Sequence, residues 1–93
     1  MEIYSEGQYY YINGKGTSQV VTGRCLLVGI TVNKTDNGTI TIYDEIGSGT
    51  TTKIGTLVAN VAEKSYPYGV TACNGIKIVT TASPDVTVIY RVI

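Results

Sequence analysis

Apolar and polar residues alternate along most of this chain with a period of two. The alternation is clearest over residues 25–32, 39–43 and 86–92, where Val, Ile, Thr and Tyr dominate. This period places one set of side chains on a buried face of a β-strand and the other set on an exposed face. In the first segment it groups four apolar residues on one face: Leu26, Val28, Ile30 and Val32.

Turn-forming residues divide the alternating segments. Asn-Gly pairs at 13–14, 37–38 and 74–75 favour tight turns, because both residues tolerate positive φ. Segments 47–49 and 83–85 indicate two looser turns. The predicted strands are 8–12, 17–22, 25–33, 39–44, 53–60, 67–73, 76–81 and 86–92. Short strands at this spacing predict an all-β fold, an eight-stranded antiparallel sandwich, and the strand count favours a jelly roll.

The length of 93 residues predicts one β-sandwich domain over 1–93, with residues 1–7 as an N-terminal arm. Ile3 and Tyr4 stand in this arm between Glu2 and Glu6. Their apolar side chains are expected to dock on a neighbouring subunit or another protein. Deleting residues 1–6 is therefore expected to weaken assembly while leaving the domain folded.

Charge is sparse, which bears on the partners. Charged residues make up 15% of the chain, and seven basic and seven acidic side chains are scattered singly. Nucleic-acid binding depends on clustered Lys and Arg, so no nucleic-acid partner is expected. The first residues lack the features of a signal peptide, and no apolar run approaches the ~20 residues of a membrane span. We expect synthesis in the cytoplasm and no membrane partner.

The sequence offers no convincing set of catalytic residues. The chain has no histidine, so a serine or cysteine nucleophile lacks its usual base. Asp44 and Glu45 are adjacent, which favours opposite faces and solvated loop charge over a carboxylate pair acting on one atom. Segment 47–53 lacks the Gly-Lys-Ser/Thr of a phosphate-binding loop and predicts a flexible hairpin loop. The sequence predicts that the protein is not an enzyme.

The two cysteines, Cys25 and Cys73, both fall inside predicted strands. We expect two reduced, buried thiols, with a disulfide between them as the alternative. Two isolated cysteines without histidine cannot supply the ligands of an ordinary zinc site. No metal and no cofactor are predicted.

The aromatic residues are all tyrosine, eight in number, and three are consecutive at Tyr9, Tyr10 and Tyr11. Consecutive strand residues alternate faces, so at least one of these rings must point away from the core. Tyrosine tolerates a half-wet position. Partly buried strand residues, a subunit interface and a sugar-binding face all fit this pattern. Together with the arm, the interface interpretation names Ile3, Tyr4, Tyr9, Tyr10 and Tyr11.

The order of segments resembles small structural proteins of tailed bacteriophages. The resemblance covers residues 20–92. It runs from a Gly-Arg-Cys-Leu-Leu strand start at 23–27 through Thr-Ile-Thr-Ile-Tyr-Asp at 39–44 and a glycine-threonine loop with the Lys-Ile-Gly strand at 53–55. It ends with Cys-Asn-Gly-Ile-Lys-Ile at 73–78 and Val-Thr-Val-Ile-Tyr at 86–90. No functional residue carries over from it.

The resemblance implies a virion structural protein, located in the virion and most often decorating the capsid. Its partners would be the major capsid protein or other virion proteins. Small size, low charge and the unplaced tyrosines predict a homo-oligomer, with a trimer favoured over a dimer. The alternative hypothesis is a carbohydrate- or receptor-binding module of a phage tail or fibre.

Overall fold

A computed structural model describes residues 8–93, so the expected arm with Ile3 and Tyr4 lies outside the described residues. The described chain contains eight strands and no helix. The strands are β1 (Gln8–Asn13), β2 (Gly16–Thr22), β3 (Cys25–Lys34), β4 (Ile40–Tyr43), β5 (Lys53–Leu57), β6 (Ser65–Ala72), β7 (Gly75–Thr80) and β8 (Asp85–Val92).

The strands form two four-stranded sheets. Sheet A has the order β1-β8-β3-β6 and sheet B the order β2-β7-β4-β5. Every pairing is antiparallel, and β1 pairs β8, β2 pairs β7, β3 pairs β6 and β4 pairs β5. The predicted eight-stranded antiparallel sandwich is confirmed, and this nested pairing is consistent with a jelly roll.

Most connections cross from one sheet to the other. The Asn-Gly pairs at 13–14, 37–38 and 74–75 all fall in such crossings, between β1 and β2, β3 and β4, and β6 and β7. The predicted turns are therefore present, but they join the sheets instead of closing hairpins. The one connection within a sheet is the loop between β4 and β5.

Two strand boundaries differ from the prediction by more than one residue, and each difference has a physical reason. Strand β5 ends at Leu57 because the chain turns at Asn60, which has a φ of 59°. Strand β6 begins at Ser65, so Pro67 lies inside it. Proline is tolerated there because β6 is at the edge of sheet A, where an amide hydrogen is not required on the free side.

The core lies between the sheets. It is built from aliphatic side chains on all the strands, with Tyr66, Tyr68 and Tyr90 packed partly buried at its margin. Burial raises the pKa of Tyr68. The buried apolar residues are Ile12, Val20, Cys25, Leu27, Ile30, Val32, Ile40, Ile42, Leu57, Ala72, Ile76, Ile78, Val86 and Val88.

A bulge in β3 overturns the predicted face assignment of that strand. The register with β8 shifts between Leu27 and Gly29, and Val28 is an extra residue of β3 there. At the same point the register with β6 also shifts, and there the extra residue lies on β6. Before the bulge Leu27 is buried, and after it Ile30 is buried. The extra residue reverses the alternation. Val28, predicted to share a face with Ile30, is instead 41% exposed.

The cysteines also differ from the prediction. Both are free thiols, and Cys25 is fully buried in β3 as expected. Cys73 is exposed, because β6 ends at Ala72 and the chain turns toward β7 directly afterwards. The expectation of two buried thiols is therefore wrong for Cys73.

Candidate functional site

The outer face of sheet A presents two rows of side chains that cross all four strands. In one row, Tyr9 pairs with Ile89, which pairs with Gly29, which pairs with Pro67. Because directly opposed residues of antiparallel strands share a face, these four lie together. Val28 joins them from the bulge. We call Tyr9, Ile89, Val28, Gly29 and Pro67 the apolar row.

The apolar row is accessible. Tyr9 is 71% exposed. Beside it lies a shallow depression of about 340 Å³, which is lined by Val28, Gly29, Ile89 and Pro67 among others. Several neighbouring apolar groups open to solvent are typical of a surface that meets a partner.

The backbone geometry at Gly29 maintains the floor of this depression. A Cβ atom added at Gly29 would lie 2.8 Å from the carbonyl oxygen of Tyr66 and 3.4 Å from the Cα of Pro67. Real side chains do not tolerate the first distance, so β3 and β6 approach this closely only because residue 29 is glycine.

The second row is polar. Tyr11 pairs with Thr87, which pairs with Thr31, which pairs with Ser65, and the hydroxyl oxygens of Thr31 and Ser65 are 2.8 Å apart. The face therefore has an apolar row directly beside a polar row, two residues further along each strand.

Asp85 organises the end of the polar row. The Tyr11 hydroxyl donates to Asp85 Oδ2 at 2.5 Å, and Asn33 Nδ2 donates to Asp85 Oδ1 at 3.0 Å and to Thr87 Oγ1 at 3.1 Å. Both carboxylate oxygens thus have a partner within the cluster. The hydrogen bond to Asp85 raises the pKa of Tyr11, because the carboxylate favours the neutral phenol.

The prediction that at least one of Tyr9, Tyr10 and Tyr11 points away from the core is confirmed, whereas their role in an interface stays a prediction. Tyr9 and Tyr11 point to the outer face of sheet A and are 71% and 50% exposed. Tyr10 shares the inner side with its buried partner Val88 and is 36% exposed. All three stand on β1, which is an edge strand of sheet A.

The outer face of sheet B is different, because the chain's own loop covers part of it. Lys77 lies on this face beside Tyr43 and Gln19, yet it is only 1% exposed. Its Nζ donates to the carbonyl oxygens of Gly47 and Gly49 in the β4–β5 loop, at 2.9 Å for Gly47. The hairpin predicted at 47–53 is confirmed, and a buried lysine holds its loop, whereas the predicted flexibility of the loop stays a prediction.

The carboxylates of Asp44 and Glu45 accept hydrogen bonds from backbone amides of nearby segments. Asp44 accepts from the amides of Cys73 and Asn74 at 3.0 and 2.8 Å. Glu45 accepts from the hydroxyl of Thr51 at 2.9 Å and the amide of Thr52 at 2.7 Å, and these bonds lower its pKa. Both residues lie in the β4–β5 loop, as the loop-charge interpretation expected, and their carboxylates also accept these hydrogen bonds.

Two other kinds of feature are absent from residues 8–93. No group of three or more His, Cys, Asp or Glu side chains in this part of the chain could hold a metal ion. The same residues contain no helix that is long and apolar enough to cross a membrane. That the protein is no enzyme and needs no cofactor stays a prediction.

Comparison with protein-family models gives no match to this chain, and comparison with curated proteins likewise gives none.

Sequence patterns found only part of this face. The three tyrosines were identified, because a run of aromatics on one strand cannot be wholly buried. Ile89 was visible as the out-of-phase residue between Val88 and Tyr90, but no pattern indicated that it pairs with Tyr9. Val28 was assigned to the wrong face because a bulge leaves no mark in the alternation.

Proposed function

We propose that this protein is a non-enzymatic virion structural protein of a tailed phage, that it decorates the capsid, and that it binds through the outer face of sheet A. The apolar row, with Tyr9 at its exposed end, is the observation that carries the proposal. The segment resemblance to small phage structural proteins supplies the class.

The outer face of sheet B is partly covered by the chain's own loop, whereas the outer face of sheet A is open, and this difference favours sheet A as the binding face. The β4–β5 loop lies over Lys77 on the outer side of sheet B and takes up that surface. On sheet A, Tyr9, Tyr11 and Val28 keep 41–71% of their surface exposed. An apolar centre beside polar groups is the usual anatomy of a binding interface.

The polar row would fix orientation more than affinity. The carboxylate at its end, Asp85, already accepts hydrogen bonds from Tyr11 and Asn33. A partner that covers the apolar row therefore does not leave an unpaired charge buried, which would cost free energy. Each contact can be modest, because many copies on one lattice multiply it through avidity.

The test is co-sedimentation of the purified protein with empty capsids of the source phage. The double variant Tyr9→Thr and Ile89→Thr keeps β-forming residues but removes apolar surface from the row. Burial of each side chain is worth about 1.5–3 kcal/mol, so we expect binding to fall at least tenfold.

Val58→Thr is the matched control, because Val58 is an apolar residue 63% exposed outside sheet A. The control should bind as the unchanged protein does. Equal binding by the double variant and the control would contradict the proposal, provided that both melt at the same temperature as the unchanged chain.

A carbohydrate-binding module is the second candidate, and one observation favours it. Tyr11 lies beside Asp85 and Asn33, the combination of ring and polar groups that recognises sugars. The cluster, however, lies on an open sheet, and its carboxylate oxygens are used internally. Binding on a glycan array that is lost in Tyr11→Ala, without any capsid binding, would establish this second function instead.

A further inference from the structure

Edge strands of a sheet carry unpaired backbone groups, and proteins normally protect them with charges, prolines, bulges or short length. The four edges here are β1 and β6 of sheet A and β2 and β5 of sheet B. They are not protected equally.

Three of these edges carry protection. Strand β6 contains Pro67 and an irregular register around Gly69, which has a φ of 64°. Strand β2 has a register shift between Gln19 and Val21. Strand β5 has only five residues, begins with Lys53 and pairs through a shifted register.

Strand β1 carries none of these devices within Gln8–Asn13. Its six residues include no charge and no proline, and they pair with β8 in one unbroken register. It is uncharged, regular and rich in tyrosine, so its free edge is suited to receive another strand.

We infer that β1 pairs antiparallel with β1 of a second copy of this chain, joining the two A sheets into one continuous eight-stranded sheet. This deepens the assembly role proposed above by naming one partner. A second copy suits the edge because neither strand brings a charge that would repel its equal across a two-fold axis.

The side chains select one register. In a continuous sheet, directly opposed residues lie on the same face. A residue of one copy can therefore oppose only a residue an even number of positions away in the other copy. The two-fold axis must then lie between one residue and the same residue of the second copy. An axis at Tyr10 sets Tyr9 opposite Tyr11 of the second copy, twice, and Tyr10 opposite Tyr10. An axis at Tyr11 would instead oppose Tyr9 to Asn13. The axis at Tyr10 gives every tyrosine of the strand a tyrosine partner, and aromatic cross-strand pairs are favourable.

This pair differs from the trimer that the sequence favoured, since a two-fold contact closes on two copies. Light scattering of the full chain separates the alternatives. We expect twice the 9.9 kDa chain mass at high micromolar concentration. A 9.9 kDa species throughout, or a species of three chain masses, would overturn the inference.

Charge substitutions then locate the contact. Tyr10→Lys and Tyr10→Glu each place like charges opposite one another, so each variant alone should dissociate at least tenfold more readily. An equimolar mixture should associate again as a mixed pair. Thr56→Lys adds the same charge to an exposed position of β5, another edge, and should leave association unchanged. Association of Tyr10→Lys equal to that of Thr56→Lys would overturn the inference.

A disulfide cross-link tests the register through the gain of a covalent dimer, and does not depend on a loss of association. In a Cys73→Ser background, Tyr10→Cys should form a disulfide between copies under mild oxidation, because opposed Cα atoms in an antiparallel pair are about 4.5–5.5 Å apart. Thr56→Cys in that background should form no disulfide between copies, because β5 lies in the other sheet and away from the proposed contact. If the chain self-pairs but does not bind capsids, only the proposed function fails. If it binds capsids as a monomer, only the β1 pair fails.

Discussion

The Nζ of Lys77 lies 2.9 Å from the carbonyl oxygen of Gly47, and this bond ties a buried lysine of the central strand β7 to the β4–β5 loop. The same ammonium group lies 5.7 Å from the ring centre of Tyr43. A charge that is only 1% exposed is tolerated here because loop carbonyls replace its water. The loop in turn keeps its shape because the lysine donates hydrogen bonds to two of its carbonyl oxygens.

Replacing Lys77 should therefore loosen the loop. Lys77→Met retains most of the apolar stem but removes the donor to Gly47 and Gly49. We expect the free energy of unfolding to fall by roughly 1.5–3 kcal/mol, the range for hydrogen bonds to a charged group. Amide exchange across residues 45–52 should also rise. Lys53→Met, at an exposed lysine, is the control, and equal effects of the two substitutions would contradict this account.

Gly29 should not accept a side chain. In Gly29→Ala the new Cβ would meet the Tyr66 carbonyl oxygen at 2.8 Å, so β3 and β6 must separate locally. We expect a loss of about 1–3 kcal/mol in denaturant unfolding, as for other overpacked sites. The neighbouring Val28→Ala should cost much less, since Val28 is 41% exposed. An alanine at 29 as stable as the unchanged protein would show that the strands do not approach so closely.

The Tyr11–Asp85 bond should appear in a pH titration. The pKa of Tyr11 is raised in the folded protein, chiefly through this bond, so folding favours the neutral phenol. Its contribution to stability is present below the ordinary tyrosine pKa near 10 and is lost as the pH rises through the raised value.

Asp85→Asn removes the negative charge, so the pKa of Tyr11 should fall toward its ordinary value. Ring-carbon NMR of labelled tyrosine measures this change directly. Asp36→Asn is the control, because the Asp36 carboxylate accepts from the amides of Asn37 and Ser83 instead. A Tyr11 pKa that moves equally in both variants would show that Asp85 is not the cause.

The two cysteines should differ in reactivity. Burial raises the pKa of Cys25 and shields it from reagents, whereas Cys73 is exposed. Brief alkylation of the native protein followed by intact-mass measurement should add a single label, on Cys73. Denaturation should allow a second label on Cys25. No label after denaturation without reductant would indicate a disulfide, against both the sequence prediction and the structure.

The sequence was sufficient for the architecture because strand alternation and turn residues are local properties. All eight strands were predicted, and their ends differ by more than one residue only at the end of β5 and the start of β6, where Pro67 lies in an edge strand. Pairing depends on contacts distant in sequence. No local pattern indicated that Tyr11 meets Asp85, 74 residues later, or that Lys77 supports the loop at 47–49.

The face assignment of β3 shows the same limit. One extra residue at Val28 reverses every side chain beyond it, yet the composition of the strand is unchanged. The candidate face was accordingly predicted only at its tyrosine end.

The most direct test of the central claim, that the outer face of sheet A meets the partner, is side-chain footprinting of the protein on capsids. Hydroxyl-radical labelling of the free and capsid-bound protein would compare Tyr9, Tyr11 and Ile89 with Val58. We expect the first three to be protected on binding and Val58 to be oxidised equally in both states. Protection of Val58 with Tyr9 and Ile89 unchanged would contradict the claim.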